Sequence, residues 1–175
     1  MALARRLSAL YPKIRIDILE KEPSGLGVHT SGRNSGVLHA GFYYNSDSLK
    51  AKYSVLGNRQ WREYCDKFNV PIRRTGKFVT MSNGQSEEAQ KDQAEHLKFL
   101  YEQGIRNGVE LEMMPIEEAR KREPMLTGQD GSEVLYSPNT AVVDIHACLK
   151  SIHEEVSGVN PNFKVHFGSQ FQNKV

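Results

Sequence analysis

Residues 31–44 bring together glycines, small polar side chains, one arginine and one histidine in a short segment. Gly32, Gly36 and Gly41 predict positive φ angles and close backbone approach, because glycine has no Cβ. We expect the backbone N–H groups of residues 31–35 to be unpaired and to point at a diphosphate. The segment therefore indicates an anion-binding loop, although a glycine- and serine-rich turn with an incidental arginine would explain the same residues.

The residues before this loop predict a strand that ends in an acid. Residues 14–19 alternate and are rich in isoleucine, which is typical of a strand, and Glu20 follows them. In dinucleotide-binding folds a carboxylate at this place binds the ribose hydroxyls, about 20 residues after a glycine fingerprint. Counted back from Glu20, that fingerprint would fall at or before Met1.

Residues 1–10 carry leucines at helical spacing and predict the helix that follows such a glycine turn. A mitochondrial presequence is the alternative, because the first sixteen residues contain four basic side chains and no acid. The helix runs without a break into a strand that carries an acid at the ribose position, which favours the crossover helix. We therefore expect the chain to begin inside a βαβ unit, without its first strand and glycines.

The loop and the strand belong to a longer pattern. It comprises residues 19–22, 29–44 and 48–52, and continues more loosely through residues 75–79, 118–124 and 137–144. This pattern resembles the FAD-dependent L-2-hydroxyglutarate dehydrogenases, within the D-amino-acid-oxidase-like flavoprotein superfamily. The resemblance covers most of the chain and implies the N-terminal part of such an enzyme. No G-x-G-x-x-G motif or later strands accompany it, so we expect a fold that is incomplete at both ends.

The resemblance and the order of predicted elements imply an α/β fold with an α+β substrate region. Residues 1–45 and 140–175 are expected to form part of a Rossmann-like FAD-binding sheet. Residues 46–139 are expected to supply a helical connection and an interleaved, mixed or antiparallel substrate-side sheet. The boundaries between these regions are soft.

Periodicity and turn residues predict the individual elements. The predicted helices cover residues 47–69, begun by Asn45 or Ser46, residues 86–107, a short helix opened by Pro115, and residues 144–156. The predicted strands cover residues 72–81, as a strand pair or as one strand bent at Thr75 and Gly76, and residues 109–113, 133–136 and 163–167.

The resemblance implies the chemistry of L-2-hydroxyglutarate oxidation to 2-oxoglutarate, in which a hydride passes to the flavin and the hydroxyl proton to a base. We expect Glu20 to bind the adenosine ribose. The other expected FAD contacts are Ser31, Gly32, Arg33, Asn34, Ser35 and Gly36, with Arg33 offsetting phosphate charge. His39 is the candidate base or flavin contact, since an imidazole can be neutral near pH 7. A structural hydrogen bond is the alternative role for His39.

A dicarboxylate substrate needs a cation for its distal carboxylate. Arg73 and Arg74 lie in a predicted strand whose alternation places one of them inward. A solvent-facing pair on an edge strand is the alternative. Tyr43 is a candidate cap of the substrate pocket, although aromatic core packing explains it equally well. No Cys, His and Asp cluster has metal-ligand spacing, so we expect no metal.

Composition bounds the partners and the compartment. Lysine and arginine number 23 against 21 acidic residues, a net charge of +2 that is too balanced for nucleic-acid binding. No apolar run is long enough to span a bilayer, which leaves peripheral membrane association open. Cys65 and Cys148 predict buried thiols in a reducing compartment rather than a disulfide. We expect a mitochondrial protein in a eukaryote, and a cytoplasmic or membrane-peripheral one in a bacterium.

Two other functions fit the sequence. One is an FAD-dependent amine or amino-acid oxidase of the same superfamily, and the other is a catalytically silent fragment. We expect the 175 residues alone to be inactive, because the missing first strand and glycine turn would leave the adenosine half of FAD with one wall. The natural electron acceptor and the oligomeric state stay open.

Overall fold

The computed structural model describes residues 1–83 and 86–172, a mixed α/β fold as the sequence predicts. In chain order the elements are α1 (Ala2–Leu10), β1 (Ile16–Glu20), β2 (Val37–Leu38), α2 (Leu49–Phe68), β3 (Ile72–Arg73), β4 (Lys77–Val79), α3 (Glu87–Arg106), β5 (Glu112–Pro115), α4 (Ile116–Arg122), β6 (Glu133–Ser137), β7 (Ala141–Val143), α5 (Ile145–Val159) and β8 (Phe163–Phe167).

The chain divides into two compact units. Unit 1 comprises Met1–Gly36, Tyr64–Pro71 and Val143–Val175, and unit 2 comprises Val37–Glu63 and Ile72–Val142. Which of them serves the cofactor and which the substrate remains a prediction.

Unit 1 is built on a parallel strand pair. β1 and β8 run in register, with Glu20 opposite Phe167, so their carboxyl ends meet at one edge. Helices α1 and α5 pack against each other. The buried Asn160 joins them, because its Nδ2 donates to Oγ of Ser8 at 3.0 Å and to the carbonyl oxygen of Ile14 at 3.0 Å. This amide fixes the entry to both strands.

The two cysteines lie in the core of unit 1. Cys65, near the end of α2, and Cys148, on α5, are both buried free thiols, as predicted. Burial raises the pKa of Cys148 to about 12, and the neighbouring Cys65 adds to the shift. Cys148 therefore stays protonated at neutral pH.

Unit 2 contains two small three-stranded sheets. The antiparallel sheet expected within residues 46–139 is confirmed, in the order β4-β6-β5, and α3 packs on β6. The second sheet has the order β2-β7-β3. Phe42, Leu97, Leu100 and Leu135 form the centre of a hydrophobic cluster that joins residues 40–42 to α3 and the first sheet.

The predicted helices are confirmed within a few residues, and the differences have local causes. The strand expected from residue 109 begins only at residue 112, because residues 107–109 close α3 in a Schellman turn. There the N–H of Val109 donates to Gly104 and the N–H of Gly108 to Ile105. Ser48, rather than Asn45 or Ser46, caps α2, since its Oγ accepts from the N–H of Ala51. Pro115 precedes α4 as its N-cap.

Candidate functional site

Glu20 ends β1 at the carboxyl edge of the parallel pair in unit 1. Its Oε1 accepts the backbone N–H of Glu22 at 3.0 Å, and the side chain forms no ion pair among the residues that the structure describes. Nucleotides bind at this edge in open α/β sheets. The half-buried carboxylate therefore keeps an oxygen available for ribose hydroxyls.

The loop that follows is closed by its own side chains. Nε2 of His29 lies 2.7 Å from Oε1 of Glu22. Nδ2 of Asn34 donates to the carbonyl oxygens of Thr30 and Ser31 at 3.2 and 2.9 Å, and its Oδ1 accepts the N–H of Gly36 at 2.9 Å. The amide of Asn34 therefore holds the loop in shape and is not free to donate to a ligand.

The backbone of this loop corrects part of the sequence analysis. The N–H groups of Gly32 and Arg33 both donate to the carbonyl oxygen of His29, at 3.0 and 2.9 Å, so the expectation that they are unpaired is wrong. Gly36 has the predicted positive φ of 67°, whereas Gly32 does not adopt one. A Cβ on Gly32 would lie 1.9 Å from the carbonyl oxygen of Gly27, so glycine is required there for packing within the loop.

The remaining polar groups of the loop face outward. Ser31, Arg33 and Ser35 are exposed. The guanidinium of Arg33 forms no hydrogen bond or ion pair with residues 1–83 or 86–172. A carboxylate with a spare oxygen and an unpaired guanidinium fit the ribose and phosphate of a dinucleotide. That Glu20 and Arg33 contact a dinucleotide remains a prediction.

His39 lies on the surface of unit 2, just after β2. Its imidazole forms no hydrogen bond with the described part of the chain. Partial burial of the ring lowers the pKa of His39, and the positive charge of Lys77 lowers it further. The imidazole is therefore neutral at pH 7 and can accept a proton or donate a hydrogen bond.

Lys77 and Tyr43 are in contact with each other, and the charge of Lys77 acts on His39. Nζ of Lys77 lies 4.5 Å from the centroid of the Tyr43 ring, whose other neighbour is the Phe42 ring at 4.1 Å. Tyr43 is 36% exposed and Lys77 is half-buried. Lys77 was not among the predicted site residues, although it lies within the loosely matching residues 75–79 and next to the bend predicted at Gly76.

Three side-chain amides hold the backbone of residues 38–44. Asn58 on α2 is 5% exposed, and Gln103 and Asn107 lie at the end of α3. Their Nδ2 or Nε2 atoms donate, at 2.8 to 3.3 Å, to the carbonyl oxygens of Leu38, His39, Gly41, Phe42 and Tyr44. The sequence analysis missed all three amides, because isolated Asn and Gln residues in amphipathic helices carry no signal of their distant partners.

The structure places both candidate substrate arginines on the surface. Arg73 ends β3 at the edge of its sheet, and both Arg73 and Arg74 are exposed, so the expectation that one points inward is wrong. Their contact with a substrate remains a prediction.

Within 1–83 and 86–172, no three His, Cys, Asp or Glu side chains are grouped so that they could hold a metal ion. No helix in the described part combines the length and apolarity needed to cross a membrane.

A family model described as FAD dependent oxidoreductase matches residues 1–167. L-2-hydroxyglutarate dehydrogenase from Escherichia coli strain K12 is 34% identical over 173 residues, which are 91% of this chain and 38% of the enzyme. The mitochondrial L-2-hydroxyglutarate dehydrogenase of Homo sapiens is 35% identical over 170 residues, 94% of this chain and 34% of that protein. The chain thus spans somewhat more than a third of the length of these curated relatives.

Solved structures agree on the fold. L-alpha-glycerophosphate oxidase from Mycoplasma pneumoniae, with FAD bound, superposes with a TM-score of 0.80 at 25% identity, over 95% of this chain and 41% of that chain. L-proline dehydrogenase from P. horikoshii gives a TM-score of 0.78 at 14% identity, over 99% of this chain and 42% of that chain.

Proposed function

The chain belongs to the FAD-dependent oxidoreductase family, and we propose that it is part of a longer enzyme that oxidises L-2-hydroxyglutarate to 2-oxoglutarate. The observation that carries this proposal is the similarity, over nine-tenths of the chain, to enzymes of that name from a bacterium and a mammal. FAD is the cofactor of the family.

Unit 1 would hold the adenosine side of FAD. Glu20 accepts hydrogen bonds from the ribose hydroxyls, because it ends β1 at the edge where nucleotides bind. Arg33 offsets phosphate charge, and the exposed Ser31 and Ser35 lie in the same loop. Gly32, Asn34 and Gly36 act through the shape of the loop, since their polar contacts and steric limits lie within it.

Unit 2 would hold the substrate. FAD, when bound, supplies the acceptor for the hydride that leaves C2. The imidazole of His39 would accept the hydroxyl proton as the hydride leaves C2 with the electron pair of the C2–H bond, so that C2 becomes a carbonyl carbon. The lowered pKa of His39 suits this role, because a neutral imidazole can take the proton. Tyr43, Arg73 and Arg74 are the further proposed substrate contacts.

We propose a mitochondrial location if the source is a eukaryote, in line with the name of the Homo sapiens relative. In a bacterium we propose a cytoplasmic or membrane-peripheral location.

Flavin reduction in the full-length protein that carries this chain tests the proposal. Under anaerobic conditions L-2-hydroxyglutarate should bleach the oxidised-flavin absorbance, and an artificial electron acceptor should restore it. The D enantiomer serves as the stereochemical control. Bleaching by amino acids or amines, with peroxide formed in oxygen and none by L-2-hydroxyglutarate, would overturn the substrate and favour the oxidase alternative.

The Glu20→Ala substitution tests the cofactor site separately. Loss of charge-assisted hydrogen bonds to the ribose should weaken FAD binding by about 1.5–3 kcal/mol in a fluorescence titration. Glu154→Ala is the matched control in unit 1, because that acid is exposed and pairs with Lys150 on the same helix. Equal FAD affinity in the two variants would remove Glu20 from the site.

A further inference from the structure

We propose that Lys77, together with Tyr43 and His39, binds a carboxylate group of the substrate. This inference rests on the proposed function for the identity of the substrate. The binding chemistry itself is argued from unit 2 alone.

The ammonium of Lys77 has no acidic partner among the residues that the structure describes. The side chain is half-buried, yet no acid pairs with it anywhere in residues 1–83 and 86–172, and its one close polar contact is the face of the Tyr43 ring. Several surface cations of the chain do have carboxylate partners, for example Lys121 with Glu118 and Lys150 with Glu154. A partly desolvated ammonium without a counter-ion favours an anionic ligand.

Hydrogen bonds and sheet pairing fix the backbone at both Lys77 and Tyr43. Before Lys77, Gly76 adopts a φ of 65° and donates its N–H to the carbonyl oxygen of Thr140 at 3.0 Å, and a Cβ there would overlap the Tyr136 ring. Lys77 then pairs with Ser137 across the antiparallel sheet.

On the other side, Gln103 and Asn107 hold the carbonyl oxygens of the residues that flank Tyr43. Nε2 of Gln103 donates to Phe42 at 2.9 Å, and Nδ2 of Asn107 donates to Tyr44 at 2.8 Å. The backbone that carries the ammonium and the phenol is therefore fixed, which reduces the entropy lost when a ligand binds.

Lys77, Tyr43 and His39 carry the kinds of donor that a carboxylate accepts. The ammonium supplies charge, and the Tyr43 hydroxyl and the neutral His39 imidazole are each free to donate a hydrogen bond, because neither has a partner in the described part of the chain. Lys77 lies close enough to His39 for its charge to favour the neutral imidazole. One cation and two neutral donors match the acceptor-only oxygens of a carboxylate.

Arg73 and Arg74 lack this setting. Both are exposed at a sheet edge, where solvent screens their charge. Lys77 is thus the better supported cation for a substrate carboxylate in this part of the molecule, and it would hold that carboxylate beside the group proposed to take the hydroxyl proton.

An NMR titration of the 175-residue chain with 2-oxoglutarate tests the inference without flavin turnover. The signal of the His39 imidazole, assigned by its loss in His39→Gln, should shift and saturate, and the dimethyl ester of 2-oxoglutarate, which carries no charge, should not reproduce this. Saturation should also raise the pKa of His39, because a bound carboxylate favours the imidazolium.

Lys77→Met should raise the Kd for 2-oxoglutarate at least about tenfold, since a charge-assisted contact is lost. Lys50→Met is the matched control, because Nζ of Lys50 lies 4.4 Å from the Tyr44 ring in a similar contact, and the Kd should not change. Lys77→Gln is measured in parallel, and amide dispersion identifies which variants are folded.

Absence of saturable binding by the wild-type chain, or an unchanged Kd in the folded Lys77 variant, would overturn the inference. Its failure is distinguishable from failure of the proposed function. An enzyme that oxidised amino acids and still bound carboxylates through Lys77 would support the role of Lys77 and refute L-2-hydroxyglutarate as the substrate. L-2-hydroxyglutarate oxidation that Lys77→Met left unchanged would support the substrate and refute the role of Lys77.

Discussion

Asn58→Ala should destabilise unit 2 and loosen the backbone at His39. Nδ2 of Asn58 lies 3.1 Å from the carbonyl oxygen of Leu38, 3.3 Å from that of His39 and 3.0 Å from that of Asn139. Two amide protons serve these three acceptors, so the side chain contributes the equivalent of two full bonds. At about 1 kcal/mol each, with carbonyl oxygens left unsatisfied near the core, the expected loss is about 2–4 kcal/mol. A urea denaturation curve at unchanged m-value measures it.

Two further variants make this result decisive. Arg59→Ala changes the next residue of α2, which is exposed and pairs with Glu63 on the helix surface, and the denaturation midpoint should barely move. Asn58→Asp keeps the size of the side chain but turns an acceptor toward three carbonyl oxygens, so it should be at least as destabilising as alanine at pH 7. An Asn58→Asp protein as stable as wild type would refute the assignment of these hydrogen bonds.

Two other perturbations test the loop and the buried thiols of unit 1. Gly32→Ala should lower the melting temperature clearly more than Arg33→Lys, because the Cβ of an alanine at position 32 would meet the carbonyl oxygen of Gly27, whereas Arg33 is exposed. Equal melting temperatures of the two variants would contradict the close approach of Gly32 to Gly27. At pH 8 the native protein should react with a thiol reagent far more slowly than the urea-unfolded chain, since a rise in the pKa of Cys148 from 9.0 to about 12 lowers its thiolate fraction. Prompt labelling of Cys148 in the native protein would show that it is not buried.

Local patterns were sufficient to predict most elements of the fold. Helices α3 and α5 carry their caps in the sequence, since Oγ of Ser86 and Oδ1 of Asp144 accept from the N–H groups three residues later. Strand β8 alternates and was predicted at its observed bounds. Strands β2 and β7 were missed, because two or three residues are too few for a periodic signal and exist as strands only through their pairing.

The candidate site was less accessible from the sequence, because its determinants are long-range. The segment that contains His39 and Tyr43 stood out by composition, but Asn58 and Gln103, which hold its carbonyl oxygens, lie 20 and 61 residues from their acceptors. Lys77 was passed over for Arg73 and Arg74, which are adjacent cations in the same predicted strand pair. Half-burial and the lack of an acidic partner distinguish Lys77, and neither property can be read from a lysine in a sequence.

Composition also cannot show whether the polar groups of a loop bind an anion or hold the loop itself in shape. In residues 31–36 the glycines, the amide and two of the N–H groups predicted for a ligand are engaged within the loop itself. This internal use still favours binding, because it fixes the backbone on which Arg33 stands before any phosphate arrives. Near His39 the polar groups are used in a similar way. Buried side-chain amides donate to the backbone carbonyl oxygens, and the imidazole forms no hydrogen bond with the described residues. In both places the sequence draws attention to a segment, and the structure decides which of its atoms remain available for a ligand.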